Sequence, residues 1–424
     1  ADATVAIARD TESAVFEQCK RADRVLTLTL LNARGLAPSD QRFIREAVQA
    51  MFRWHGWIAP LRLRAFEGRL LLSVLLDSPA VHPVCRLWAK SLGRDPARLV
   101  AIGDAPTWAA RAEGLRRLLE GQPINTDPWR LFPDWLHDHL PLPPGDGPPK
   151  VRLAEFLRRL QARPALWVRA QGAEPNSIWE ELGSQGIKPW CHRRISAAAK
   201  LDMNVDVYHL PALLRGALVV EDLASQAVGL VCDPDPGERW WVTCGGGGKA
   251  LHLSALMRGK GVVVASDRDE RRLKEISRRA RRGPHRNLTT KTWDGRHVAG
   301  KTGRFDGVLV EPPSSAIGTW RRHPDARWTL PRDAVSHFAA LQSQLLHAAA
   351  AGVREGGALV YSVSTVTPSE TLNIVRAFLE THSTFHLDPF RNPLIDGTTD
   401  GTLFIWPQTA DSEAAFVARM IRGG

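Results

Sequence analysis

Cysteine is scarce in this chain. Five residues, at positions 19, 85, 191, 232 and 244, are spread over 424 positions with no CxxC pair and no Cys/His cluster. An odd, scattered set indicates neither a disulfide framework nor a zinc site. A reducing compartment, the cytoplasm, is expected, with no bound metal. Long apolar runs are also missing. Leu70 to Leu76, among the longest, is broken by Ser73 and bounded by charge, so no segment approaches the ~20 residues of a spanning helix. Residues Ala1 to Asp10 carry acids and lack an apolar core, so they do not read as a secretory signal. Lysine is rare as well: only 10 of the 56 basic residues are Lys.

What remains is a globular composition, 44% hydrophobic and 24% charged, with a net charge of +11 carried almost wholly by arginine. The guanidinium fork suits phosphate, so nucleic acid is the leading class of partner. A genomic preference for Arg, Ala, Gly and Pro codons would produce the same excess. The length predicts more than one domain, and a monomer is expected.

Residues 1–140 read as helical. The pairs Phe43/Ile44, Ala47/Val48 and Met51/Phe52 recur on one helical face after a cap at Ser39 or Asp40, and Gly56 follows the helix end. Further helices are expected over Val15 to Leu31 and Leu70 to Leu76. The run LPLPPGDGPP, residues 140–149, is the densest Pro/Gly stretch, and 141–150 is expected to be a linker open to proteolysis. Residues 151–220 are mixed, with short strands expected at Leu166 to Arg169 and Asp206 to Leu210. From 221 to 424 strands at Arg239–Thr243, Gly261–Ala265, Asp306–Val310, Ala358–Ser362 and Leu403–Trp406 alternate with helical patterns, the longest over Pro331 to Val353. That order predicts a parallel sheet covered on both faces.

The first of these strands runs into Cys244 and the glycines 245–248, then Lys249. Glycine there lets backbone approach a ligand at a helix N-terminus. The second strand ends at Asp267, where a carboxylate can accept the hydroxyls of a ribose. A tight turn and a helix cap are the structural alternatives. The loop is neither GxxxxGK[ST] nor GxGxxG, which disfavours ATP and NAD.

Residues 306–318 (DGVLVEPPSSAIG), 321–328 (RRHPDARW) and 356–370 (GGALVYSVSTVTPSE) closely resemble the Sun/Fmu-type RNA cytosine-C5 methyltransferases, whose patterns there are FDxxLxDAPCSGxGxxRRxPDxxW and GGxLVYSTCSxxPxENE. Residues 216–226 (GALVVEDLASQ) and 233–239 (DPDPGER) are similar to the same family's approach to its cofactor loop. Upstream, Ser39–Phe43 through Trp54 is similar to a NusB-like helical domain, and 164–169 (PALWVR) to the strand opening the family's small RNA-recognition-like subdomain. The resemblance implies a multidomain chain: an all-α NusB-like domain over 1–140, the linker 141–150, a small α+β subdomain over 151–220, and an α/β Rossmann-like methyltransferase domain over 221–424. S-adenosylmethionine is the implied cofactor and RNA, ribosomal or transfer, the implied partner.

The chain departs from the family at the chemistry. Ser314 and Ser364 stand where the family has its two cysteines, one of them the nucleophile. A thiolate is a strong nucleophile, whereas a hydroxyl needs a positioned base, and neither motif carries His or Lys beside it. Glu311 replaces the motif's Asp. The Gly loop lacks the family's preceding Asp and is one residue short. Trp240 and Trp241 either pack under the sheet or crowd the cofactor. The expected cofactor contacts are Thr243, Cys244, Gly245, Gly247, Lys249, Asp267, Asp294 and Glu311; the expected catalytic positions are Glu311, Ser314 and Ser364; the expected RNA contacts are Arg271, Arg272, Arg278, Arg321 and Arg322. Glu311-Pro-Pro-Ser314 also resembles, faintly, the [DNS]PP[YFW] motif of amino-methyltransferases, which need no nucleophile. Three readings stay open: an RNA methyltransferase with changed chemistry, a non-catalytic RNA-binding scaffold, or a methyltransferase for another substrate.

Overall fold

The computed structural model describes the chain except residues 34, 62, 64, 78–81, 96–104, 106, 119–124, 173, 244 and 299–302. It divides into two compact units. One comprises Ala1–Asp138, Leu157–Arg163 and Thr319–Arg332; the other comprises His139–Phe156, Pro164–Gly318 and Asp333–Gly424. No helix among the described residues is long and apolar enough to cross a membrane.

The first unit is helical. Helices α1 (Asp2–Gln18), α2 (Ala22–Asn32), α3 (Pro38–Arg53), α4 (Phe66–Asp77) and α5 (Pro83–Ser91) bury one core. The apolar face of α3 faces that core as its spacing predicts. Its start differs from expectation: Pro38 occupies the first turn, where its missing N–H costs nothing, and Ser39 and Asp40 lie inside the helix. The helix expected over 15–31 is broken at Cys19, which takes φ 50° and closes α1. Asp77 is buried against Arg53 (2.9 Å), Arg163 (2.7 Å) and the Trp54 indole N–H (3.1 Å). Burial alone would raise its pKa; the two guanidinium groups override this and hold it below the usual value.

Residues 319–332 belong to this helical unit although they follow the eighth strand. Arg327 is fully buried and donates to the carbonyls of Leu131 (2.9 Å) and Trp320 (3.1 Å) and to Gln161 (2.8 Å), while the Trp328 indole donates to Phe52 O (2.7 Å).

The second unit holds two sheets. The smaller is antiparallel, in the order β2-β3-β1-β4, with β1 Leu166–Ala170, β2 Trp190–Cys191, β3 Ala198–Leu201 and β4 Leu218–Val220. Helix α6 (Pro175–Ser184) packs on it. The strand expected over 206–210 is instead a 3-10 turn, Val207–His209.

The larger sheet contains β5 (Arg239–Thr243), β6 (Val262–Asp267), β7 (Leu288–Thr292), β8 (Phe305–Val310), β9 (Val353–Val363), β10 (Phe385–Leu387), β11 (Thr402–Ile405) and β12 (Ala415–Arg422). The order is β10-β12-β9-β8-β5-β6-β7, with β11 also on β12. Strands β5 to β9 pair in parallel, but β12 joins β9 antiparallel, so the sheet is mixed. Helices α7 (Leu223–Cys232), α8 (Gly248–Leu256) and α9 (Glu270–Ala280) cover one face; α10 (Ala334–Ala350) and α11 (Leu372–Thr381) cover the other. Trp240 and Trp241 sit in opposite layers, as alternation along a strand requires. Both are buried, and the Trp241 indole donates to Ser266 Oγ (2.7 Å), so the pair packs within the sheet.

Candidate active site

The chain leaves β5, visits β6 and β7 on one side, and then returns to β8 on the other. The crevice at the carboxyl ends of β5 and β8 is thus a topological switch point, the usual ligand site of an open α/β sheet. The expected cofactor residues fall at these strand ends. Thr243 closes β5, Asp267 closes β6, Asp294 follows β7 and Glu311 follows β8. Cys244 lies outside the described residues.

Gly245 and Gly247 have φ of +88° and +79°. A Cβ at 247 would lie 2.3 Å from Ile276 Cγ1, so only glycine lets α8 begin this close to α9. The Arg279 guanidinium holds the loop from α9 by donating to Gly246 O (3.1 Å). Lys249, in the first turn of α8, reaches Glu311 at 2.6 Å, and the Glu311 N–H donates to Thr243 O (3.0 Å). Burial alone would lower the Lys249 pKa; the Glu311 carboxylate overrides this and holds it above the usual lysine value. The Thr243 hydroxyl is buried and has no hydrogen-bond partner among the described residues.

Asp267 is 4% exposed. One of its oxygens accepts the Asp269 N–H (2.8 Å) and the other accepts Arg272 (3.2 Å). Asp294 is exposed and accepts the N–H groups of Arg296 (2.9 Å) and His297 (3.0 Å) and the His297 ring (2.7 Å), which hold its carboxyl well below the usual range.

A second layer of buried polar groups lies under the loop. Glu221 accepts Arg169 (2.6 Å) and Ser225 (2.8 Å), with the His252 ring 3.9 Å away. Burial opposes ionisation of Glu221, but Arg169 and His252 bring its pKa down to about 2. Burial and Arg169 together push His252 down to about 3, so the ring is neutral.

Ser314 and Ser364 are half-buried. Their segments are joined through the Gly318 N–H, which donates to Ser364 O (3.0 Å), and through the hydroxyls of Ser315 and Thr365 (2.9 Å). A Cβ at 318 would lie 1.8 Å from Ala414 O, so glycine is required there. The Ser314 hydroxyl accepts the Ala316 N–H (3.2 Å). Among the described residues, no His, Lys or carboxylate lies within hydrogen-bond distance of either serine hydroxyl.

Glu370, unassigned in the sequence reading, ties the two motif segments together. It is fully buried. Its carboxylate accepts the Ser315 N–H (2.8 Å), the Ser315 hydroxyl, Gln342 (2.9 Å) and the Thr367 hydroxyl (2.8 Å), and its carbonyl accepts the Tyr361 hydroxyl (2.8 Å). The cluster of hydroxyls around an acid in 361–370 was the available signal.

The expected RNA contacts separate. Arg271, Arg272 and Arg278 are exposed on α9, each with a carboxylate partner: Asp269, Asp267 and Glu275. Arg322 is exposed. Arg321 departs from expectation. It is 3% exposed, donates to Arg163 O (2.8 Å) and accepts Arg53 on its own carbonyl (2.8 Å), so it packs within the helical unit and cannot reach a phosphate in this state. Among the described residues no cluster of His, Cys, Asp and Glu is built to hold a metal.

The chain is similar to known proteins in sequence and in fold. The family described as 16S rRNA methyltransferase RsmB/F matches residues 230–421. A probable ribosomal RNA small subunit methyltransferase B of Synechocystis sp. is 26% identical over 92% of this chain and 93% of its own length. The ribosomal RNA small subunit methyltransferase B of Vibrio vulnificus is 32% identical over 50% of this chain and 51% of its own. In fold, the chain is similar to the crystal structure of PH0851, with TM-score 0.74, 22% identity and 99% of both chains covered. It is also similar to NSun6 from Pyrococcus horikoshii solved with SFG, with TM-score 0.57, 16% identity, 65% of this chain and 95% of that one.

Proposed function

We propose that this chain, a relative of the RsmB/F methyltransferases, is an S-adenosylmethionine-dependent rRNA methyltransferase that acts on cytidine without a cysteine nucleophile. The observation that carries the reading is the Lys249–Glu311 pair beside the Gly loop at the switch point, together with two serines that have no base beside them among the described residues. The site fits the cofactor. A buried hydroxyl at Thr243 without a partner among the described residues, a loop of positive-φ glycines and an acid at the end of β6 are what an adenosine ligand needs. Asp267 would accept the ribose hydroxyls, exchanging its bond to Arg272. Asp294 would stand near the adenine, and the backbone at Gly245 and Gly247 would lie against the amino-acid end.

Bound S-adenosylmethionine supplies an electrophilic methyl group. The protein's part is to place the base. The Glu311 carboxylate would accept an N–H of the exocyclic amine and draw off its proton as the nitrogen becomes the nucleophile. Lys249 holds that carboxylate in place. This chemistry needs no thiol, in keeping with Ser314 and Ser364. The helical unit is read as NusB-like and the small sheet as RNA-recognition-like, both serving to hold RNA. The bare serine hydroxyls also suit a second reading, an inactive RNA-binding scaffold.

The test is transfer of labelled methyl from S-adenosylmethionine to small-subunit rRNA. Wild type should label the RNA. Glu311→Ala should lose at least about a hundredfold, the range of a general acid–base group. No label with any rRNA or tRNA would favour the scaffold.

A further inference from the structure

The basic stretch after β6 is denser than its ion pairs require. Between Asp267 and Arg296 stand 11 basic and 5 acidic side chains. Six of these cations fall into two groups of three. Arg271, Arg272 and Arg278 each face a carboxylate. Lys274, Arg281 and Arg286 are exposed, and no ion pair joins them to any described residue.

These three line a continuous depression. Strand β7 is the outer edge of the large sheet and pairs only with β6 among the described strands. Between this edge and α9 lie two adjoining clefts of about 530 and 660 Å³ that share Ser277, Arg281 and Thr290. Lys274 and Arg281 line the first, and Arg281 and Arg286 the second. Positions 274, 277, 278 and 281 share one helical face, so the cations run along the groove. Thr289, Thr290 and Thr292 add hydroxyls on its other wall.

We propose that this groove carries the sugar–phosphate backbone of RNA, with Lys274, Arg281 and Arg286 as its phosphate contacts. The inference rests on the RNA reading above and moves the contacts from the paired arginines to unpaired neighbours. Unpaired cations can exchange hydration for phosphate without breaking an internal ion pair. An acidic peptide extending the sheet at β7 is less suited. It would need pockets for alternate side chains, and the clefts offer few apolar residues, Leu273, Ala280 and Leu288.

The test compares two charge-matched double variants for binding to a labelled transcript of small-subunit rRNA over a salt series. One is Lys274→Gln with Arg281→Gln. The other is Arg215→Gln with Arg354→Gln, exposed residues paired to Glu181 and Asp306 that line neither cleft. Single-stranded contacts contribute a salt slope of roughly 0.7 each, so the groove variant should lose about 1.4 in slope and roughly 25-fold in affinity at ~0.1 M salt. The control variant should change much less, and both should keep wild-type S-adenosylmethionine affinity. Equal losses in the two variants would mean that net charge alone acts, and the groove proposal fails. Wild-type affinity in the groove variant also overturns it, more so if polyglutamate binds wild type and not that variant. If wild type itself binds no RNA, the functional reading fails first, and the two failures are told apart.

Discussion

At the scale of single residues, position decides what each charge can do. Asp267 closes β6 and Asp294 follows β7, at the carboxyl ends of neighbouring strands, yet one is buried and the other exposed. Asp267 spends one oxygen on the Asp269 N–H and the other on a partly exposed arginine, a partner that ribose hydroxyls can replace. Asp267→Ala should therefore weaken S-adenosylmethionine binding by about 1–3 kcal/mol, or roughly 5- to 150-fold. Calorimetry on both proteins checks this, and unchanged affinity would place the cofactor away from β6. Asp267 was legible because a carboxylate closing an apolar strand leaves a local pattern. Arg321 was misread because burial of a basic motif depends on Arg163 and Arg53, far away in sequence. Glu370 is harder to read because two of its donors come from distant segments, around Ser315 and Gln342.

At the scale of elements, the parallel strands β5, β6 and β8 read clearly because both of their faces are buried and their sequences are apolar runs. Strand β7, with the sequence LTTKT, is exposed along one edge and carries no such run. Strands β10 and β12 are not legible locally because their antiparallel places at the far edge depend on β12 pairing with β9 and β10 pairing with β12. Helix α8 holds His252 and the turn between α9 and β7 holds His285, whose pKa values burial pushes to about 3 and about 4, with Arg169 adding to the effect. In the unfolded chain both rings protonate near 6.5. Below that pH the unfolded state binds protons that the folded state refuses, so stability falls as pH drops from about 6.5 towards 4. Glu221, lowered from 4.5 to about 2, adds a loss below that window. Urea midpoints measured across pH 7 to 4 should decline, and His252→Gln should flatten the decline. A level profile in wild type would contradict the buried neutral rings.

At the scale of the whole chain, two excursions alter what a linker means. Residues 157–163 and 319–332 pack within the helical unit, so its core is built from three stretches of chain. The Pro/Gly run at 141–150 predicts cleavage that leaves a stable C-terminal fragment. The packing of Arg327 and Trp328 argues otherwise. Removing residues 1–140 would strip Arg327 of its bond to Leu131 O and Trp328 of its bond to Phe52 O, and would expose to water the apolar surface that this segment covers. After limited proteolysis at 141–148 the two pieces should co-elute in size-exclusion chromatography. A fragment from Lys150 onward should be less stable alone than in the nicked protein. Clean separation into a soluble, equally stable C-terminal piece would contradict this packing.

Methyl transfer through Glu311 with no covalent link to the protein is the central proposal. Its most direct measurement incubates the protein and S-adenosylmethionine with RNA containing 5-fluorocytidine, beside ordinary RNA, and reads a denaturing gel together with mass spectrometry of the digested nucleosides. The predicted result is no protein–RNA adduct, a methyl on the exocyclic amine of cytidine in the ordinary RNA, retention of that product by Ser364→Ala and its loss in Glu311→Ala. A covalent band that disappears in Ser364→Ala would show serine acting as the nucleophile and would contradict the account.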